Sequence, residues 1–324
     1  MKILITGGAG FIGSHLATRL LELEHEVFVF DDLSTGRLKN LAHIQPNPRL
    51  LVKEGSVLDL GAIEPLIERC DEVYHLAAAV GVRLVMDKPV ETIMTNVRGT
   101  EVILELCRKH SKKILLASTS EVYGKNKDGP LGEDDDRILG STKKQRWAYA
   151  NTKTLDEFLA LAYHNDYGLP IVIARLFNTV GPRQTGRYGM VIPNFVRAAL
   201  EGEPIRVFGS GMQSRCFAHV TDVVGGLIAL MAHPGAIGDI FNIGNNEETT
   251  IGELALRVKE MSGSSSEVFH ISYQEAYGDG YEDMERRVPD LTKIANLIGY
   301  KPTAGLEEIL NSVIGYFREN LSGQ

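Results

Sequence analysis

Short apolar runs alternate with stretches of helical periodicity through the first half of the chain and beyond. Lys2 to Thr6, Glu26 to Phe30, Leu50 to Val52, Glu72 to His75, Lys113 to Ala117 and Ile171 to Arg175 are β-branched or leucine-rich and are bounded by Gly, Asp or Ser. Buried central strands have that character. Their alternation with helices predicts an α/β fold, a doubly wound parallel sheet covered on both faces. Between the first two, Ile12, Leu16, Leu20 and Leu23 fall on one stripe of a helix, which completes a β-α-β unit. After Arg175 the regularity breaks. Asn178 to Gly189 is rich in Gly, Arg and Thr, and Gly202 to Gly211 has the look of loops and short strands. Val220 to Leu230 returns as a helix to the sheet. The expected division is a sheet domain over residues 1–175 and about 217–243, and a smaller C-terminal lobe over 176–216 and about 244–324.

Composition narrows the class. The 324 residues, 44% hydrophobic and 23% charged, are those of a globular protein with a large core. No run approaches the roughly 18 apolar residues of a membrane span, and the apolar start runs straight into a glycine-rich turn, so neither an anchor nor a signal peptide is expected. Cys70, Cys107 and Cys216 are far apart and form no CxxC pair, which suits a reducing cytoplasm. The net charge of −8 is spread along the chain, with only the short cluster Lys143-Lys144-Gln145-Arg146 against it, so nucleic acid is not an expected partner. The nine histidines are scattered without ligand spacing, and no metal is expected.

The candidate chemistry starts at Ile3-Leu4-Ile5-Thr6-Gly7-Gly8-Ala9-Gly10-Phe11-Ile12-Gly13. Here strand, glycine turn and helix start follow in the order a dinucleotide requires, the mark of a Rossmann-type sheet. Glycines let the turn tighten and the backbone approach the pyrophosphate, and the helix N-terminus offers free N–H groups to it. Asp31 ends the second strand about 20 residues on, where a carboxylate accepts hydrogen bonds from a ribose 2′-hydroxyl and repels a 2′-phosphate. NAD is therefore expected over NADP. The plainer reading of Asp31 is a strand-ending residue that caps its turn.

Tyr149 and Lys153 stand four residues apart at the opening of an apolar-periodic helix that runs to about His164. That spacing puts both on one face, where an ammonium can stabilise a phenolate and lower the tyrosine's pKa. A tyrosine so tuned removes a hydroxyl proton near neutral pH. Ser118-Thr119-Ser120-Glu121-Val122-Tyr123-Gly124 follows a strand at its carboxyl end, where open α/β sheets bind ligands.

With these residues the chain resembles the extended short-chain dehydrogenases that act on nucleotide-diphosphate sugars. The resemblance covers essentially the whole chain. It is carried by the Gly7 to Gly13 turn, His75-Leu76-Ala77-Ala78, Asn96, Thr119, Tyr149 with Lys153, Phe177 to Arg183, and Arg215 with His219-Val220-Thr221-Asp222. It implies that Tyr149 takes the proton of the carbon-4 hydroxyl while hydride passes to NAD, that Thr119 supports that hydroxyl, and that Lys153 holds the nicotinamide ribose. It further implies a cofactor site of Gly7, Gly10, Phe11, Ile12, Gly13, Asp31, Asp32, Ser34, Thr35, Gly36, Ser56, Val57, Leu76, Ala77, Ala78, Asn96 and Ser118. Many relatives carry Asp where this chain has Ser56. For the nucleotide-sugar it implies Ala79, Thr119, Ser120, Val191, Asn178, Arg215 and Arg287, the last three at the diphosphate, whose oxygens suit arginine's forked donors. Helices around Arg98 to Lys109 and Trp147 to His164 resemble those that pair in the family's dimers, so a homodimer is expected.

The 4-keto intermediate of such enzymes has several fates. A 4,6-dehydratase carries an Asp-Glu pair after the threonine; here the pair is Ser120-Glu121. UDP-glucuronate decarboxylases are similar in Thr119-Ser120-Glu121 and in Glu285 to Pro289, and the decarboxylase domain of the bifunctional polymyxin-resistance enzyme is similar around Arg146-Trp147 and Tyr277 to Tyr281. UDP-glucuronate 4-epimerases are similar over Arg175 to Gln184 and Gly186 to Met190. The expectation leans to the NAD-dependent 4-epimerase, an isomerase, on UDP-glucuronate or UDP-glucose, with the decarboxylase as its alternative. A non-catalytic NAD-binding sensor is the remote third, since Tyr149, Lys153 and the arginines are all present. A hexuronate would need a cation or hydroxyl near its carboxylate, with Arg187 and Ser120 as candidates.

Overall fold

In the computed structural model, which describes residues 1–126, 129–186, 189–277 and 282–321, the chain is built on a seven-stranded parallel sheet. Its strands β1 (Lys2–Thr6), β2 (Glu26–Asp31), β3 (Leu50–Glu54), β4 (Glu72–His75), β5 (Lys113–Thr119), β6 (Ile171–Leu176) and β11 (Asp239–Ile243) lie in the order β11-β6-β5-β4-β1-β2-β3. The helices are α1 (Phe11–Glu22), α2 (Leu60–Arg69), α3 (Val82–Asp87), α4 (Pro89–Lys109), α5 (Ala148–Tyr167), α6 (Val191–Glu201), α7 (Val220–Ala232), α8 (Ile251–Ser262), α9 (Tyr273–Tyr277), α10 (Thr292–Ile298) and α11 (Leu306–Leu321). Smaller pairings join β7 (Thr179–Val180) to β10 (Ala218–His219), β8 (Ile205–Phe208) to β13 (Val268–Ile271), and β9 (Ser214–Cys216) to β12 (Glu248–Thr250) and β14 (Arg286–Arg287).

Side chains alternate across the sheet, as the period of a strand requires. Ile3, Ile5, Val27 and Val29 pack with Leu16 and Leu20 of α1 and Val223, Leu227 and Leu230 of α7. Leu4, Phe28, Phe30 and Val73 point the other way, onto Ile63 and Ile67 of α2, Ile103 and Leu104 of α4 and Ala160 of α5. Each fully buried chain of this kind stabilises the fold by roughly 1.5–3 kcal/mol. A third cluster, with Ile192 and Val196 of α6, Leu254 and Val258 of α8, and Ile309 and Val313 of α11, makes a separate core.

The strands expected from the apolar runs are present, most of them a residue or two longer. β11 was not among them. Its fourth residue is polar: Asn242 is fully buried, accepting from the Tyr123 hydroxyl at 2.8 Å and donating to the Leu131 carbonyl at 2.8 Å. That network continues into Arg175, which donates to Tyr123 at 2.9 Å and grips Glu157 with two bonds of 3.0 and 2.8 Å. It fixes α5 against β5 and β6, and α5 carries Tyr149 and Lys153.

Candidate active site

The glycine turn between β1 and α1 is closed to side chains. Gly7 has φ of +71°, and a Cβ there would meet the Ala77 nitrogen at 2.8 Å; a Cβ on Gly13 would collide with the Gly7 carbonyl oxygen. Gly10 caps α1 without a side-chain bond, so the first N–H groups of that helix are open to an anion. Phe11 and Ile12 open the helix, and Leu76, Ala77 and Ala78 leave β4 directly across from the turn.

Asp31 is buried. One of its oxygens accepts from the Ala9 nitrogen and the other from the Leu33 nitrogen, both at 2.9 Å. It therefore shapes the turn, as the plainer reading had it, and a Cβ on Gly36 would run into its carboxylate. Burial pushes its pKa up from the usual carboxylate value, and the Leu33 and Ala9 N–H groups oppose that. Asp32 is exposed and accepts from the Ser34 nitrogen and hydroxyl at 2.9 and 2.6 Å. Thr35 lies between Ser34 and Gly36 in the same bend. Ser56 accepts from the Leu58 nitrogen at 3.3 Å, and Val57 is buried beside Gly99. Asn96 clamps Ala79 with both ends of its amide, at 2.8 and 3.3 Å. An open helix N-terminus, a side-chain-free turn and a carboxylate at its rim fit a dinucleotide.

Thr119, at the carboxyl end of β5, caps a short 3-10 turn over Ser120–Tyr123 and hydrogen-bonds the Tyr149 hydroxyl. Ser120 is buried in that turn. One expectation is corrected at this point of the site. The Lys153 ammonium donates to Asp156 at 2.8 Å, and the Tyr149 phenol is pushed up, by burial first and then by the charges of Glu121 and Asp156. In the chain by itself the lysine is turned toward its own helix, so no lowering of the phenol results. Ser118, expected at the cofactor, donates its hydroxyl to Glu157 at 2.5 Å.

Next to Tyr149 is an ionic cluster. Glu121 accepts from Arg146 on one oxygen and from Arg287 at 2.6 Å on the other, and these two guanidinium groups hold its carboxyl well below the usual carboxylate range against the opposing effect of burial. Arg287 also donates to Asn178 at 2.7 Å, and the Asn178 amide nitrogen reaches the Cys216 carbonyl at 2.7 Å. Arg215 donates to Asp283 at 3.1 Å, and Tyr273 bonds the same carboxylate at 3.1 Å. A cavity of about 420 Å³ opens beside Asp283, lined by Ser210, Met212, Gln213, Tyr273, Met284 and Glu285. Val191 begins α6.

The chain thus brings Thr119, Ser120, Glu121, Tyr149, Asn178, Arg215 and Arg287 together from β5 and the turn after it, α5, the link between β6 and β7, β9 and β14. Arg187 and Gly278 to Tyr281 lie outside the described residues. Arg286 forms a surface pair with Glu248 at 2.9 Å, and Arg206 is exposed. Arg146, Asp156 and Asp283 were not among the expected site residues. Arg146 stands in the basic cluster of the sequence and is nevertheless only 6% exposed, stacked on Trp147. The pattern that could have signalled it is an arginine three residues before the tyrosine. Among the described residues no three metal-ligating side chains lie together, and no helix is long and apolar enough to cross a membrane.

Residues 3–244 match the model of the NAD dependent epimerase/dehydratase family. The chain is 43% identical over 319 residues to the UDP-N-acetyl-alpha-D-glucosaminuronate decarboxylase of Bacillus cytotoxicus, covering 98% of each. It is 38% identical to the UDP-glucuronic acid decarboxylase 1 of Xenopus tropicalis, over 100% of this chain and 73% of that protein. Among solved structures it is similar to the UDP-glucuronic acid 4-epimerase of Bacillus cereus in complex with UDP-glucuronic acid and NAD, with a TM-score of 0.88, 32% identity and coverage of 99% and 100%.

Proposed function

This chain belongs to the NAD-dependent epimerase/dehydratase family, and from that premise we propose that it is a UDP-hexuronate decarboxylase. The lean toward a 4-epimerase is thereby reversed: the decarboxylases among its relatives are more alike in sequence than the epimerase, and they match over nearly the whole chain. The observation that carries the reading is Glu121 clamped between Arg146 and Arg287 beside Thr119 and Tyr149.

NAD held at the glycine turn would supply the acceptor for the carbon-4 hydride and, once CO₂ has left, the donor that returns it. The chain's own residues do the rest. Tyr149 takes the O4 proton, with Thr119 bonded to the same oxygen. The product is a β-keto acid, whose C5–carboxylate bond breaks with its electron pair drawn toward the C4 oxygen. Thr119 and Tyr149 are placed to donate to that oxygen as charge gathers on it. A fixed anion at Glu121 destabilises a neighbouring carboxylate, whose charge passes to the C4 oxygen as CO₂ leaves neutral. Arg146 and Arg287 let the substrate carboxylate enter at all. C5 then takes up a proton, so UDP-hexuronate and one proton become UDP-pentose and CO₂. Asn178 and Arg215 hold the diphosphate, and the cavity at Asp283 takes the nucleoside.

The test is proton NMR of the purified protein with NAD and either UDP-N-acetylglucosaminuronate or UDP-glucuronate. A UDP-pentose with CO₂ release is expected, N-acetylated in the first case. UDP-galacturonate with its carboxylate intact would overturn the proposal in favour of the epimerase.

We propose also that the enzyme is a homodimer through α4 and α5. Val90, Ile93, Leu155 and Phe158 are 74, 38, 50 and 56% exposed at helical spacing on these two neighbouring helices, more apolar surface than scattered exposure accounts for. Phe158→Asp is expected to give a monomer by sedimentation; an unchanged dimer would place the interface elsewhere.

A further inference from the structure

Asp156 is a carboxylate with no exposure at all, one turn along α5 from the Thr152 that bonds Asn96. Its Oδ2 accepts from the Lys153 ammonium at 2.8 Å, while its Oδ1 is buried without a hydrogen-bond partner. Leaving a carboxylate oxygen unsatisfied costs free energy, and a buried pair of this kind is weak evidence for stability alone. The Lys153 charge also acts on His75 of β4, which is buried. Thr6 accepts from the Ala77 nitrogen at 3.3 Å, so its hydroxyl is free to donate to His75 Nδ1 at 2.7 Å; the other ring nitrogen faces Thr100 at 3.4 Å. The ring is neutral, since burial and the Lys153 charge hold its pKa down at about 3. It offers the lysine no counter-charge.

We propose that Asp156 is a positioning residue for the reaction: it holds the Lys153 ammonium at the catalytic face and sets how much of that cation's charge reaches Tyr149. The role rests on the active-site reading of Tyr149 and Lys153. An ammonium has three donors, and one bond to Asp156 leaves two that can face a bound cofactor. The charges around the pair are Glu121 from the turn after β5, closed on its two arginines, and Glu157 from α5, closed on Arg175. Asp156 is therefore the anion in direct contact with the lysine, and its charge acts on Tyr149 in the direction opposite to the lysine's.

Asp156→Asn keeps the shape and removes the charge. In the NAD-free protein with isotopically labelled lysine, the Lys153 ammonium resonance, identified by its loss in Lys153→Met, is expected to exchange its protons about tenfold faster. In the holoenzyme the acid limb of kcat is expected to move down by roughly one pH unit, since an uncompensated cation favours the phenolate. Asp156→Glu retains the charge and is expected to bring both readouts back toward wild type, which a purely structural role would not require. Unchanged exchange, a limb that stays or moves up, or a Glu variant that behaves as Asn does would overturn the assignment. Lys153→Met that binds NAD as tightly as wild type overturns the active-site reading itself, and this role with it.

Discussion

Tyr149→Phe is expected to lower kcat by about 10²–10⁴-fold while leaving the unfolding transition and NAD affinity near wild type. General base catalysis is worth that much, and the substitution removes one oxygen at a half-buried position. The pH profile adds a second readout. Burial, Glu121 and Asp156 all push the Tyr149 phenol up, with only the Thr119 hydrogen bond against them. The base is active as its phenolate, so the fraction in working form rises with pH, and wild-type kcat is expected to climb across the neutral range. In the Phe variant that climb disappears. A variant that turns over within threefold of wild type with the climb intact would remove Tyr149 as the base.

Much of the fold is legible in the chain alone. The parallel sheet follows from six short apolar runs, because strands buried on both faces leave little choice of residue. The glycine turn is legible because backbone crowding at Gly7 and Gly13 excludes every other residue. Contacts between distant segments are less so. Glu121, Arg146 and Arg287 meet from three separate stretches, and nothing in their local spacing says that one carboxylate takes both guanidinium groups. The direction of the Tyr149 shift is hidden for a related reason. Helical spacing correctly puts Lys153 on the same face, but Asp156, three residues further on, takes the ammonium. β11 escapes notice since its buried Asn242 is satisfied by Tyr123 and Leu131, far away in sequence.

Glu121→Gln separates the two fates of a 4-keto hexuronate. CO₂ release is expected to fall by about 10²-fold or more, the scale on which removal of a fixed electrostatic group acts. Transfer of hydride at carbon 4 should persist, seen as reduced-cofactor absorbance in a single turnover, because Thr119 and Tyr149 are untouched. CO₂ release within threefold of wild type would leave Glu121 an accessory and remove the like-charge repulsion from the decarboxylation step. The same change carries a stability signature. It leaves Arg146 and Arg287, 6 and 11% exposed at their side chains, facing a neutral amide, and breaking a buried pair typically costs about 3–5 kcal/mol. The folded-state pKa of Glu121 lies below its ordinary value of 4.5. Its contribution is therefore fully present above that value and is lost as pH falls toward the folded-state pKa. Urea unfolding of wild type and variant should differ most at neutral pH and draw together below about pH 4.5. A gap that is constant with pH would mean that packing around Glu121, and not its charge, holds the cluster together.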